Sequence, residues 1–256
     1  MASKKKIIVA NWKMNPLSLK EANDLFLKTK NLVAKTKNIT MVVCPPALFI
    51  AELAKKSKGN RVFVGAQDLF WEKGTGAFTG EQSAEMVASA GAQYVLIGHS
   101  ERRARGDTDE NVNQKLTAAL RSGLVAVVCI GESSRDSEGG HLEVLKQQLS
   151  VAFAKIPRKY FLNTIIAYEP LWAIGENAQG ADSPESVYEL SIFIRKTVAE
   201  IAGRDLALSI PILYGGSVDE KNAADFMTRG GVQGLLVGRA SLKADKLDAI
   251  IKAVQA

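Results

Sequence analysis

Histidine and cysteine are scarce in this chain, with two of each in 256 residues. A histidine/cysteine metal site is therefore not expected, and no cofactor signature is visible. Cys44 and Cys129 each lie in an apolar run, so they read as buried thiols in a reducing compartment rather than as a bridge. Long hydrophobic runs are missing too. The longest, Met41 to Ala51, contains Pro45-Pro46 and falls well short of the roughly 20 residues that span a bilayer. At the N-terminus, Ile7-Ile8-Val9-Ala10 is too brief for a signal-peptide core. These absences predict a soluble, cytoplasmic protein with no membrane partner. No Gly-x-Gly-x-x-Gly follows the first apolar run, which ends in Asn11-Trp12-Lys13-Met14-Asn15. That argues against an open doubly wound sheet built around a dinucleotide.

What is present fits one large α/β domain over residues 1–256, with no linker or composition shift to mark a second. Hydrophobic residues make up 46% and charged residues 23%, an ordinary globular balance. Lysine and arginine outnumber aspartate and glutamate by 33 to 27, a net charge of +6. That excess suggests an anionic partner without choosing one. Lys4-Lys5-Lys6 is too short for a nucleic-acid arm, and the other basic residues are scattered among acidic ones.

Eight short β-rich runs recur along the chain: Lys6 to Trp12, Thr40 to Cys44, Arg61 to Gln67, Tyr94 to Ile97, Val125 to Ile130, Thr164 to Tyr168, Ser209 to Tyr214 and Gly234 to Val237. They are apolar throughout rather than alternating, as in parallel strands covered on both faces. Amphipathic helical stripes separate them, among them Ala22-Leu25-Phe26-Thr29-Leu32-Val33, Leu142-Leu145-Leu149-Ala152-Phe153-Ile156 and Leu247-Ile250-Ile251-Val254. Ser18-Leu-Lys-Glu21 reads as a capping box, and Ser183-Pro184 as an N-cap followed by proline at the first helical position. Eight β-α units predict a closed (β/α)8 barrel, with the open sheet as runner-up.

In such a barrel, function sits where the strands end. The polar residues at strand ends are few: Asn11 and Lys13, Gly98 to Arg103, Glu169, Gly215-Gly216-Ser217, and Gly238-Arg239. His99 at the start of a helical turn is suited to stay neutral and donate a hydrogen bond to a developing oxyanion. Glu169 ends an apolar strand and precedes Pro170, a costly place for an idle carboxylate. Taken singly, each has a plain alternative: a structural histidine, a rim ion pair, a surface lysine. Together they suggest a base and an electrophile facing one cavity. Glu101 is a candidate partner for Lys13. Gly175, Gly215, Gly216 and Gly238 would let backbone N–H groups approach a phosphate. The expected ligand is a small phosphorylated carbonyl compound.

Several motifs carry a resemblance: Asn11-Trp-Lys-Met-Asn15, Gly76-Ala-Phe-Thr-Gly-Glu81, Gly98-His-Ser-Glu-Arg-Arg103, Val128-Cys-Ile-Gly-Glu132, Ala167-Tyr-Glu-Pro-Leu-Trp-Ala-Ile-Gly175 and Tyr214-Gly-Gly-Ser-Val218. In this order, and across essentially the whole chain, the sequence resembles the triosephosphate isomerases. The resemblance implies a glycolytic and gluconeogenic isomerase acting on a phosphorylated triose through an enediolate. It makes Glu169 the base, His99 the neutral electrophile, and Lys13 and Asn11 the groups stabilising the enediolate oxygens. Gly175, Ser217, Gly238 and Arg239 would hold the phosphate, with Glu101, Trp172, Tyr214 and Gly216 in support. It further implies a lid over residues 170–183. It also implies a homodimer made through the loop Asp68 to Gly80, with Thr79 reaching the neighbour's site.

The chain departs from the family pattern in places. Ile174-Gly175 is followed by Glu176-Asn177-Ala178-Gln179-Gly180-Ala181-Asp182-Ser183 instead of the usual Thr-Gly-Lys, with two residues more than usual. Glu176 and Asp182 are expected to point outward, away from a phosphate. Arg239 replaces a second glycine and is expected to turn away from the mouth, and Asp68 stands where asparagine is usual. The altered lid leaves open a four-carbon ketose phosphate as an alternative substrate. A binding protein without catalysis is a further alternative, which the joint presence of Asn11, Lys13, His99 and Glu169 disfavours.

Overall fold

The structure is a computed structural model describing residues 5–59, 61–136, 138–173 and 180–255. Eight strands run β1 (Lys6–Asn11), β2 (Ile39–Cys44), β3 (Val62–Ala66), β4 (Tyr94–Ile97), β5 (Val125–Ile130), β6 (Thr164–Tyr168), β7 (Ile212–Tyr214) and β8 (Gly234–Val237). All neighbours are parallel, and β8 pairs with β1 to close the barrel. Between and after them lie α1 (Leu19–Ala34), α2 (Ile50–Ser57), α3 (Ala84–Ser89), α4 (Ser100–Arg103), α5 (Asp109–Arg121), α6 (Gly140–Ala152), α7 (Pro184–Ala202), α8 (Arg204–Ser209), α9 (Ala223–Thr228) and α10 (Ala244–Gln255). This is the predicted (β/α)8 architecture. Among the described residues no helix is long and apolar enough to cross a membrane.

Two hydrophobic clusters explain the unbroken apolar strands. Val9, Val42, Leu96, Val127, Cys129, Ile165, Ala167, Leu213 and Leu236 fill the barrel. Their chain neighbours, such as Ile8, Met41, Ile97, Val128 and Ile166, face the helix ring instead. Side chains alternate along a strand, so covering both faces requires apolar residues at every position. Cys44 and Cys129 are free and buried, and burial pushes both thiols up from their ordinary range.

Three local expectations are corrected. The run Ser209 to Tyr214 is a strand only from Ile212; Arg204–Ser209 is helical, with the Ser209 hydroxyl bonded back to Asp205 O at 2.7 Å, and Pro211 breaks the chain between them. The Leu142 to Ile156 stripe leaves the helix at Ala152, yet Phe153 and Ile156 are buried beyond it. Ser18 caps α1 by accepting the Glu21 N–H at 3.2 Å, but the reciprocal half of a capping box forms at Thr108/Asn111 of α5 instead. Ser183 and Pro184 start α7 as expected.

Charge is buried at the root of the loop that follows β3. Lys115 on α5 is 1% exposed and donates to both oxygens of Asp68 at 2.8 and 2.9 Å and to Asp107 at 2.6 Å. Arg102 reaches Asp68 at 2.7 Å. Burial pushes the Asp68 carboxyl above its ordinary value despite the opposing Lys115 hydrogen bond. The aspartate at this position is thus matched by two cations. Lys115→Met should lower unfolding stability by about 3–5 kcal/mol in urea titrations, because it strands two carboxylates beside the core; a loss under about 1 kcal/mol would contradict that reading.

Candidate active site

The two-residue repeat that fills the barrel also builds its mouth. Continuing the inward positions Val9, Leu96, Val127, Ile165, Leu213 and Leu236 past the strand ends reaches Asn11, Gly98, Gly131, Glu169, Gly215 and Gly238. A cavity of about 410 Å³ opens there, lined by Asn11, Lys13, His99, Glu169, Gly215, Gly216, Ser217, Gly238 and Arg239 among others. Nine residues expected from sequence are thereby gathered at one mouth. Arg239 is exposed and is among the residues that line this cavity. Trp172 and Tyr214 lie behind the cavity wall, Thr79 is exposed on the loop after β3, and Gly175 and Glu176 fall outside the described residues.

Each polar group is held by backbone geometry. Lys13 sits at φ +53°, a left-handed conformation unusual for a lysine. Its N–H donates to Asn11 Oδ1 at 3.0 Å, and its carbonyl accepts from Gln67 Nε2 at 2.7 Å. Lys13 Nζ pairs with Glu101 at 2.7 Å. Partial burial pushes the Glu101 carboxyl up, but Lys13 and other nearby cations outweigh it and leave the group below its ordinary value. His99 caps the short helix α4, and its Nδ1 accepts the Glu101 N–H at 3.1 Å. A nitrogen that accepts cannot carry the proton, so Nε2 is the protonated one in the neutral ring. Nε2 lies 3.3 Å from Glu169 Oε1.

Glu169 is 2% exposed, and its other oxygen accepts the Ser100 N–H at 3.1 Å. Two glycines make room for it. A Cβ on Gly131 would stand 1.8 Å from the Glu169 carbonyl oxygen, and one on Gly215 would stand 2.9 Å from its Cγ. Gly216 is likewise confined, by the Tyr214 hydroxyl at 2.2 Å from its would-be Cβ. Gly238 is different: its Cβ would meet nothing closer than Lys13 Cε at 3.6 Å, so space is left in front of its backbone. The Ser217 N–H donates to Ala173 O at 3.2 Å.

Sequence reasoning missed the polar group behind the wall. Glu132 is 1% exposed, and its Oε1 accepts from the Tyr168 hydroxyl (2.8 Å), Trp172 Nε1 (2.9 Å) and Arg135 Nε (3.1 Å). Burial, then the Glu132 charge, push the Tyr168 phenol well above its ordinary range. Asp182, expected to point outward, is 7% exposed and turned onto Arg135. The signal available in the sequence was Arg135, a cation one turn beyond a strand-end glutamate. Gly215→Ala should push Glu169 aside and lower kcat by about 10²-fold with a native circular dichroism spectrum; unchanged kcat would show that the glutamate has room to spare.

A sequence model of the triosephosphate isomerase family matches residues 6–254. The chain is 42% identical over 250 residues to a triosephosphate isomerase of Alkaliphilus oremlandii, covering 97% of this chain and 99% of the relative. It is 44% identical over 249 residues to that of Moorella thermoacetica, covering 96% and 97% respectively. With the one of Geobacter metallireducens the identity is 40% over 247 residues, covering 96% of this chain and 97% of the relative. The chain belongs to the triosephosphate isomerase family.

Proposed function

We propose that Glu169, His99, Lys13 and Asn11 carry out the interconversion of dihydroxyacetone phosphate and D-glyceraldehyde 3-phosphate, the isomerisation that connects the two triose phosphates in glycolysis and gluconeogenesis. The observation that carries the assignment is the convergence of all four on one cavity at the barrel mouth. Glu169 takes a proton from the carbon beside the substrate carbonyl. The electron pair left behind forms an enediolate, the proton of the substrate hydroxyl passes to the former carbonyl oxygen, and the carboxylic acid returns its proton to the neighbouring carbon, which leaves the carbonyl where the hydroxyl was. No electrons leave the substrate, so the step balances with a base and proton donors alone. The developing oxyanion is met by the Nε2–H of His99 and by the ammonium of Lys13. Asn11 fixes the Lys13 backbone through its Oδ1 and leaves its amide NH₂ to donate.

The phosphate subsite falls to Gly238, Arg239 and Ser217, with Gly175 as a fourth member, and Gly216 shapes its wall. Backbone N–H groups suit this task because they are rigid and cannot be deprotonated. Glu169→Gln should lower kcat for D-glyceraldehyde 3-phosphate by about 10²–10⁴-fold while phosphate-ester binding persists. Near-normal turnover in that variant would remove Glu169 from the role of base.

The same reading includes a homodimer through the loop Asp68 to Gly80, with Thr79 directed to the neighbour's site, and a cytoplasmic location in keeping with the two free thiols. Phe70 packs at a tilt against Trp71 and Phe78, with ring centres 4.3 and 4.9 Å apart, and Phe78 stays 45% exposed. Met14, Leu17 and Leu48 are 91%, 95% and 88% exposed. Apolar exposure of this extent supports a partner surface. Sedimentation should give the mass of two chains, and Phe78→Asp should shift it toward one; a wild-type chain that sediments as a monomer at micromolar concentration would rule this interface out.

A further inference from the structure

β4 and β5 separate where the site begins. Their ladder starts with the Val125 N–H on Gln93 O at 2.9 Å and stays in register up to Ile97 and Val128. Parallel strands bond at every second residue, so the same series continued would set the Gly131 N–H on His99 O. That carbonyl is already committed. It accepts the Arg102 and Arg103 N–H groups at 2.8 and 3.0 Å, the opening bonds of α4. Gly98 O is committed as well, to Arg103 Nε at 2.9 Å. β4 leaves the sheet here to carry His99 into the mouth. Gly131, buried at the end of β5, loses its strand partner on that edge.

Gln148 on α6 takes the missing place. It is 8% exposed, its Oε1 accepts the Gly131 N–H at 2.8 Å, and its Nε2 donates to Gly131 O at 2.9 Å. One carboxamide thus supplies both the acceptor and the donor of an absent strand residue, and only one orientation of the amide satisfies both. A buried N–H and C=O left unmet would be costly. The other edge of β5 still pairs with the chain that carries the base. The Glu169 N–H donates to Ile130 O at 2.8 Å and the Leu171 N–H to Glu132 O at 2.9 Å, on either side of Gly131. Between these bonds the Gly131 backbone lies against the Glu169 peptide, so close that a Cβ there would stand 1.8 Å from the Glu169 carbonyl oxygen. The backbone of the base rests on Gly131, and Gln148 holds Gly131 from behind.

We propose that Gln148 is a positioning residue for the isomerisation, setting the place of the Glu169 carboxylate through Gly131. It does not line the cavity and touches no substrate. The proposal rests on the assignment of Glu169 as the base. A small displacement of a base costs rate, because proton transfer depends steeply on distance and angle. Lys13 and the phosphate subsite hang on other strands and stay in place. The loss therefore falls on kcat and spares KM.

The test uses the full chain and Gln148→Met, which keeps the side-chain length and helix propensity and removes both bonds. Its kcat for D-glyceraldehyde 3-phosphate should fall by about ten- to hundredfold, with KM within about threefold of wild type. Introduced into Glu169→Gln, the same change should lower kcat by less than about twofold, since the group it positions is already gone. A folded Gln148→Met enzyme with kcat within twofold of wild type would overturn the proposal. So would an equal loss in both backgrounds, which would mean that Gln148 acts elsewhere than on the base. Should Gln148→Met fail to fold, Gln148→Glu gives a second reading. Its neutral carboxyl can keep both bonds to Gly131, whereas the carboxylate loses the donor and repels Gly131 O. Its kcat relative to wild type should then fall as pH rises from about 6 to 9; a ratio that does not fall would overturn the proposal. Near-normal turnover in Glu169→Gln by itself is a separate outcome, which removes the base assignment.

Discussion

Closure of the barrel is the constraint on which everything else depends. With β8 hydrogen-bonded to β1, every strand has two partners and each side chain points either into the ring or out to the helices. The inward register is fixed by Val9, Val42, Leu96, Val127, Ile165, Leu213 and Leu236. A slip of one residue in any strand would drive this apolar set outward and bury its neighbours instead. The same register decides what stands at the mouth. Asn11 and Glu169 follow the inward positions, and the glycines Gly131 and Gly215 follow the inward positions on the strands to either side of β6. The cavity is thus a continuation of the packing pattern with the side chains removed around one carboxylate.

Tyr168 and Glu169 show how sharply this rule divides labour. They are neighbours in sequence and lie on opposite sides of the wall. Glu169 faces the cavity, near His99 Nε2. Tyr168 faces outward to Glu132 and Arg135. A carboxylate at the mouth is therefore one peptide bond from a network that joins Glu132, Arg135, Trp172 and Asp182. One departure of this chain from the family pattern, Asp182, belongs to that network. Asp182 meets Arg135 instead of solvent, because a buried carboxylate needs a matching charge and the first turn of α7 brings Ser186 to the same place. Asp68 follows the same logic at the loop after β3, where Lys115 and Arg102 receive it.

Electrostatics at the mouth are local. The net charge of +6 says little about the cavity, where Lys13 is already paired with Glu101. What matters is how few donors are placed and how firmly. His99 has its tautomer set by a single backbone N–H. Lys13 is held in a left-handed conformation by Asn11 and Gln67. These are rigid backbone devices, suited to stabilising charge that appears only during reaction.

Much of this was legible in the sequence. Eight apolar runs separated by helical stripes point to a parallel sheet covered on both faces, and the pairing of β8 with β1 decides that it closes. Polar residues at their ends mark the mouth, because that is where the apolar repeat stops. The sequence also determined His99, Glu169, Lys13 and Asn11 as the residues in question, since each breaks an otherwise apolar pattern. Tertiary structure alone decided the rest. Asp182 reads as a surface charge until α7 folds against the loop after β5 and brings it to Arg135. Lys115 reads as one polar residue on an amphipathic helix until two aspartates from separate segments, Asp68 and Asp107, enclose it. Pairings of this kind join residues tens of positions apart, and no local spacing encodes which distant charge will be the neighbour; packing of the closed ring does.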